Sequence, residues 1–113
     1  MYTANAIISD VINNCKKVWI QLDYDGRFFS SYHEFDLKYL KDVDDLMSLM
    51  KFTSSKEIED LLGKYVRVID NGDVRNSLMA IGSMFKDKFI ALHLDTFPIS
   101  EKKVYRKYRQ RVR

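Results

Sequence analysis

One cysteine, one proline and four glycines are all this 113-residue chain holds of the residues that staple, break or loosen a fold. Cys15 alone can make neither an internal disulfide nor a metal framework, and the plain expectation is a reducing, cytoplasmic setting. So little glycine and proline leaves little material for linkers or low-complexity stretches, and no internal repeat occurs. No run of about 18 apolar residues exists, so no segment reads as a membrane-spanning helix. Residues 1–10 lack the basic start, apolar centre and cleavage site of a secretory signal. Also missing are GxGxxG, a Walker-type loop, CxxC and HExxH. The expectation is a non-enzymatic protein with no catalytic residues, no metal and no cofactor.

What is present is core material: 46% hydrophobic and 13% aromatic residues. That suffices for one domain and leaves no room for a second core. The net charge of +3 hides an asymmetry. Residues 101–113 hold seven Lys/Arg against one Glu, a local +6, while residues 1–100 hold 12 basic and 15 acidic side chains, a balance of −3. The division is a single domain over 1–100 and a basic tail over 101–113, and a polyanion would meet the tail first.

Hydrophobic spacing predicts an α+β fold. Ala4, Ile7, Ile8, Val11 and Ile12 recur at helical intervals and predict an amphipathic N-terminal helix over 3–14. Val18, Ile20, Leu22 and Tyr24 then alternate with Trp19, Gln21 and Asp23. Asp25-Gly26 follows, a pair suited to a two-residue hairpin turn, and residues 27–35 return. That hairpin, over 18–35, sets Trp19 opposite Tyr32 and Leu22 opposite Phe29, with Phe28 on the Trp19 face. A face carrying Trp19, Phe28 and Tyr32 is unusually aromatic for one left in water, so either another layer covers it or it binds something.

Two central helices are expected next. The first runs over 37–52, capped by Asp36, with Leu40, Val43, Met47 and Met50 on a stripe that Leu46 widens. The second opens at a Ser54–Glu57 capping box, points Ile58, Leu61 and Leu62 inward and stops at Gly63. Residues 65–70 read as a strand turning at Asn71-Gly72. The stretch 74–85 suits helix or strand, and strand–turn–strand over 77–94 is preferred, giving an antiparallel sheet from the hairpin and strands near 65–94. Ser100 caps a last, basic C-terminal helix.

Few groups compete as sites. Asp23 and Asp25 form a DxD pair that suits a hard cation, but Asp25 belongs to the turn and no third acid follows at the right interval. Asp42, Asp44 and Asp45 sit on different sides of a helix. His33 and His93 have no nucleophile in evident reach, and Cys15 has no supporting motif. The tail stands out. Lys102, Lys103, Arg106, Lys107, Arg109, Arg111 and Arg113 ring a short helix, and arginine forks suit phosphates and carboxylates. Tyr105 and Tyr108 are placed to stack on bases or to dock the helix on the domain.

The run Leu62-Gly63-Lys64-Tyr65-Val66-Arg67-Val68-Ile69, with Ala80-Ile81-Gly82 and Lys86-Asp87-Lys88-Phe89 after it, resembles small accessory proteins of bacteriophages and prophages. The Trp19-bearing hairpin and the helical middle are in keeping. Some proteins of this type are anti-CRISPRs, which inhibit type II CRISPR nucleases. The resemblance implies a phage-type inhibitor or modulator of a host defence nuclease, acting by binding the nuclease or its RNA or DNA in the host cytoplasm. A basic tail suits mimicry of DNA poorly, and fits the guide RNA, displaced DNA or an acidic patch better. The alternative is a stand-alone nucleic-acid-binding module using the tail and the Trp19/Phe28/Tyr32 face.

Overall fold

The computed structural model describes residues 2–26, 30–72 and 78–92. They form a curled, half-barrel-like antiparallel sheet around one α-helix. The strands are β1 (Tyr2–Asn13), β2 (Lys17–Tyr24), β3 (Ser30–Asp36), β4 (Tyr65–Asp70), β5 (Leu78–Gly82) and β6 (Phe89–Ala91). Their order across the sheet is β3-β2-β1-β4-β5-β6. The helix α1 (Leu40–Phe52) lies between the arms of the sheet, touching β3 at one edge and β5 and β6 at the other.

The N-terminal helix expected over 3–14 is instead strand β1, and the multi-helix α+β expectation falls with it. A β-bulge explains the misleading spacing. Ile8 pairs with Leu22 while Asp10 pairs with Gln21, so Ser9 is an extra residue in the ladder. Beyond it the alternation is reset: Ile8 and Val11, three apart, both join the core, while Ile7 and Ile12 share the opposite face. Apolar residues at i and i+3 are thus produced by a strand.

The hairpin of β2 and β3 forms, with Gly26 at φ +70° in the turn. Its register differs from the expected one by two residues: Trp19 faces Glu34, Gln21 faces Tyr32 and Asp23 faces Ser30. Asp25-Gly26 alone is therefore not the loop of a hairpin in this register. A shift of two keeps every side chain on its expected face, so Trp19 and Tyr32 still share one.

Helix α1 follows the expected segment, but Tyr39, without a side-chain bond, stands at its N-cap instead of Asp36. Asp36 accepts the Lys38 N–H at 3.2 Å, and Asp42 reaches back to the Asp36 N–H at 2.8 Å. The buried stripe is also rotated. Leu46 and Leu49 point into the core, whereas Leu40 and Met47 are largely exposed. The second central helix shrinks to a 3-10 turn, Ile58–Leu61, whose capping box joins Glu57 to Asp60 instead of Ser54 to Glu57. Leu61 is buried there, Leu62 is exposed, and Gly63 at φ +84° ends the turn as expected. The ambiguous stretch resolves, over 78–82, as strand β5. The basic C-terminal helix lies outside the described residues.

The main core fills the concave side: Ile8, Ile20, Leu22, Phe35, Val66, Val68 and Ile81 from the sheet meet Leu46 and Leu49 of α1 and Leu61. Ile69, Met79, Ala80, Phe89 and Ala91 form a second buried cluster at the β4–β6 end. The opposite, outward side of β1, β2 and β3 is the surface that concerns function.

Candidate functional site: the open face of the sheet

Cross-strand partners share a face, so the register reads this surface off row by row. In one row Ile12 pairs with Trp19 and Trp19 with Glu34; in the next, Asp10 pairs with Gln21 and Gln21 with Tyr32. A third row joins Tyr65, Ile7, Asp23 and Ser30. Tyr32 is 69% exposed, Ile12 and Tyr65 are each 53% exposed, and Trp19 is half-buried. Trp19 and Tyr32 are diagonal neighbours across β2 and β3, close enough for aromatic side chains to act together. Two of the three residues expected to make an aromatic face are thus brought together. The third, Phe28, lies outside the described residues. Among the described residues no element lies over Tyr32.

The face is acidic. Asp10, Asp23, Glu34 and Asp36 project from β1, β2 and β3; among the described residues Lys17 answers them from the sheet and Lys38, just past β3, sits 3.7 Å from Asp36. Lys17 sits 3.6 Å from Glu34 in an exposed pair that holds neither side chain firmly. Arg67 on β4 is already engaged. Its guanidinium donates to the carbonyls of Ser83 and Lys86 at 2.6 and 2.5 Å and to Asp87 at 3.3 Å, and it lies over the Phe89 ring. The Asp23 carboxylate accepts from Ser30 at 2.5 Å and from Gln21 at 3.0 Å. The Ser30 hydroxyl, then Gln21, hold Asp23 below the usual carboxylate range. Both donors reach one oxygen, Oδ1, and Asp25 stands exposed in the turn. Among the described residues no three His, Cys, Asp or Glu side chains converge on a metal site.

The remaining candidates disperse. Asp42 serves the Asp36 N–H, Asp45 pairs with Lys41, and Asp44 is exposed. His33 packs edge-on against Phe35 at 4.6 Å, and His93 lies outside the described residues. Cys15 is exposed beside a shallow cleft of about 360 Å³ lined also by Lys16, Lys17, Asp36, Leu37 and Lys38. The tail residues Lys102, Lys103, Tyr105, Arg106, Lys107, Tyr108, Arg109, Arg111 and Arg113 are outside the described residues.

Sequence reasoning missed Ile12, Asp10 and Glu34 as members of this face. Glu34 was within reach, since it alternates with Tyr32 along β3. Ile12 and Asp10 were hidden by the bulge. Among the described residues no helix is long and apolar enough to cross a membrane. No protein-family model matches the chain, and no curated protein or solved structure matches it either.

Proposed function

We propose that the chain works by binding another protein, without chemistry of its own, through the open face of β1, β2 and β3. The observation that carries this is Tyr32, 69% exposed and diagonal to Trp19, which has exposed Ile12 beside it on the same sheet face. Large aromatic and aliphatic side chains gathered on one exposed surface mark contact sites more often than idle surface. Aromatics could also stack on bases, but four carboxylates against two lysines, Lys17 and Lys38, leave the face net acidic, which repels phosphates and favours a protein over a nucleic acid.

A phage-type inhibitor of a host nuclease is one form of this reading. An RNA-guided nuclease is basic where it grips nucleic acid, and an acidic face suits such a surface better than the basic tail does. Nucleic-acid binding by residues 101–113 is the second reading, and it rests on their local charge of +6.

Photo-crosslinking tests the proposal. A benzoyl-phenylalanine replaces Tyr32 in one variant and exposed Lys51, on α1, in another. Position 32 is expected to yield a protein adduct that survives nuclease digestion, and position 51 to yield none. Adducts at both positions alike, or an adduct that nuclease removes, would overturn the reading. Guide-loaded type II CRISPR nuclease is the defined partner to try first, with DNA cleavage as the readout.

A further inference from the structure

If the open face is a binding surface, its chemistry also describes the occupant. Asp10 and Glu34 stand at diagonally opposite corners of the two central rows, with Trp19, Gln21, Tyr32 and Ile12 completing the patch. Neighbouring strands lie about 4.8 Å apart, so the two ends of a row are separated by roughly 10 Å. Each row therefore offers one carboxylate and one aromatic ring within the span of a few residues of a ligand chain. Gln21 donates its amide N–H groups to Asp23 and Ser30, which leaves its carbonyl oxygen as the group for a ligand, an acceptor. Acceptors, carboxylates and ring faces all select a cation.

We propose that this patch receives an arginine-rich segment of a partner protein. A guanidinium is planar, stacks on tyrosine and tryptophan faces, and pairs with a carboxylate through two parallel N–H bonds. Lysine offers a compact, strongly hydrated charge and neither planar contact. Lys17, at 3.6 Å from Glu34 and substantially exposed, yields that carboxylate readily to a better-shaped donor. Exposed Ile12 lies beside Trp19 to pack against the aliphatic stem of an arginine. This rests on the binding role proposed above and adds the chemistry of the partner.

Trp19 is the only tryptophan in the chain, so its emission reports on the patch in the full-length protein. The probe is a synthetic decapeptide of alternating arginine and glycine. The expected result is a saturable change in Trp19 emission, with affinity at least tenfold weaker in the double variant Asp10→Asn, Glu34→Gln. The lysine–glycine peptide should bind several-fold more weakly than its arginine counterpart. Both replaced residues are exposed, and circular dichroism checks that the variant is folded. No change at millimolar peptide, or equal affinity in the double variant, would overturn the proposal. So would an equal response to an oligothymidine, which would assign the patch to nucleic acid. Emission that moves with salt alone and ignores the peptide would give the patch to the chain's own residues 101–113, again against the proposal. A protein adduct at position 32 with no arginine-peptide binding would leave the binding role standing and refute only the charge assigned to the partner.

Discussion

The Tyr24 phenol donates its proton to Asp70, a carboxylate with no exposed surface, across 2.5 Å between Oη and Oδ2. Ser31 lies 2.8 Å from the same phenolic oxygen. Because the phenol proton goes to Asp70, the Ser31 hydroxyl is the donor in that second bond. The Gly72 N–H occupies the other Asp70 oxygen at 2.7 Å. The trio links β2, β3 and β4 within the core and satisfies a buried charge that would otherwise be costly.

Tyr24→Phe removes one hydroxyl and leaves Asp70 Oδ2 and Ser31 without it. The expected cost is about 1–3 kcal/mol at neutral pH, the penalty of an unsatisfied buried group, read as a lower urea midpoint. The pH dependence has a definite sign. Burial, and then the bond to Asp70, push the Tyr24 phenol above its usual value. Its contribution is intact below the unfolded phenol value, about 10. It is lost as pH rises beyond that value, because the unfolded chain ionises first. Tyr24→Phe should therefore show a shallower loss of stability above pH 10 than the native chain. An unchanged slope would show that other groups govern alkaline unfolding.

The bulge at Ser9 gives a second test. Val11 packs against the core while its neighbour Ile12 is 53% exposed. Val11→Asp forces a charge toward apolar side chains and should cost about 2 kcal/mol or more. Ile12→Asp should stay within about 0.5–1 kcal/mol, as surface changes do. Chemical denaturation of both variants separates the strand from the helix expected there, since a helix would set both residues against its apolar side. Equal losses would contradict the register of β1.

These two residues also show what was legible in the sequence. β2 was plain because strict alternation over 18–24 has one physical meaning. β1 was not, because one extra residue turns period two into i, i+3, which imitates a helix. The hairpin faces were read correctly and the register was not: the pairing slipped by two, which the alternation cannot detect. In α1 the segment was evident but the buried stripe was not, since Leu40, Met47 and Leu49 are equally apolar and only the sheet's curl decides which faces inward. Of the open face, Trp19 and Tyr32 were visible as same-face aromatics, while its acidic character needed β1 as a strand.

The rotated stripe of α1 predicts opposite outcomes for two similar truncations. Leu49→Ala should cost about 2–5 kcal/mol, since Leu49 has no exposed surface and the change opens a cavity. Met47→Ala, at 64% exposure, should change stability by less than about 0.5 kcal/mol. Thermal melts of the two variants decide it. A costly Met47→Ala would restore the stripe that periodicity suggested.

Gly82 predicts a steric failure. A Cβ there would lie 2.5 Å from the Lys88 carbonyl oxygen and 2.5 Å from a Phe89 ring carbon. The carbonyl belongs to the backbone, and it also accepts the Ser83 N–H at 3.0 Å, so it has little freedom to retreat. Gly82→Ala is expected to destabilise by roughly 1–3 kcal/mol through overpacking. The β5–β6 ladder should loosen first, visible as faster amide exchange at Ile81 and Ile90, which pair across it. A variant as stable as the native chain would show that β6 does not need this close approach.

The closure of the half-barrel across α1 gives the last prediction. Lys41 Nζ donates to the Ala91 carbonyl of β6 at 3.1 Å and to Asp45 at 2.5 Å, so one ammonium ties the helix to the edge strand. Burial raises the Asp45 carboxyl above its usual value, and Lys41 opposes that shift. Lys41→Met keeps most of the aliphatic stem and removes the charge. It should cost roughly 1–3 kcal/mol at neutral pH, from the lost bond to Ala91 and a half-buried carboxylate left without its cation. A carboxyl raised in the folded state is neutral in both states at low pH, so its cost vanishes below the ordinary value, about 3.9. Above that value the unfolded chain ionises first, so the cost grows until pH reaches the raised folded value and is complete beyond it. The stability gap between Lys41→Met and the native chain should therefore be wider at pH 7 than at pH 3.5. Adding Asp45→Asn to Lys41→Met should recover part of the loss at pH 7 and little of it at pH 3.5. A gap that does not vary with pH would assign the effect to the Ala91 hydrogen bond alone and remove Asp45 from the closure.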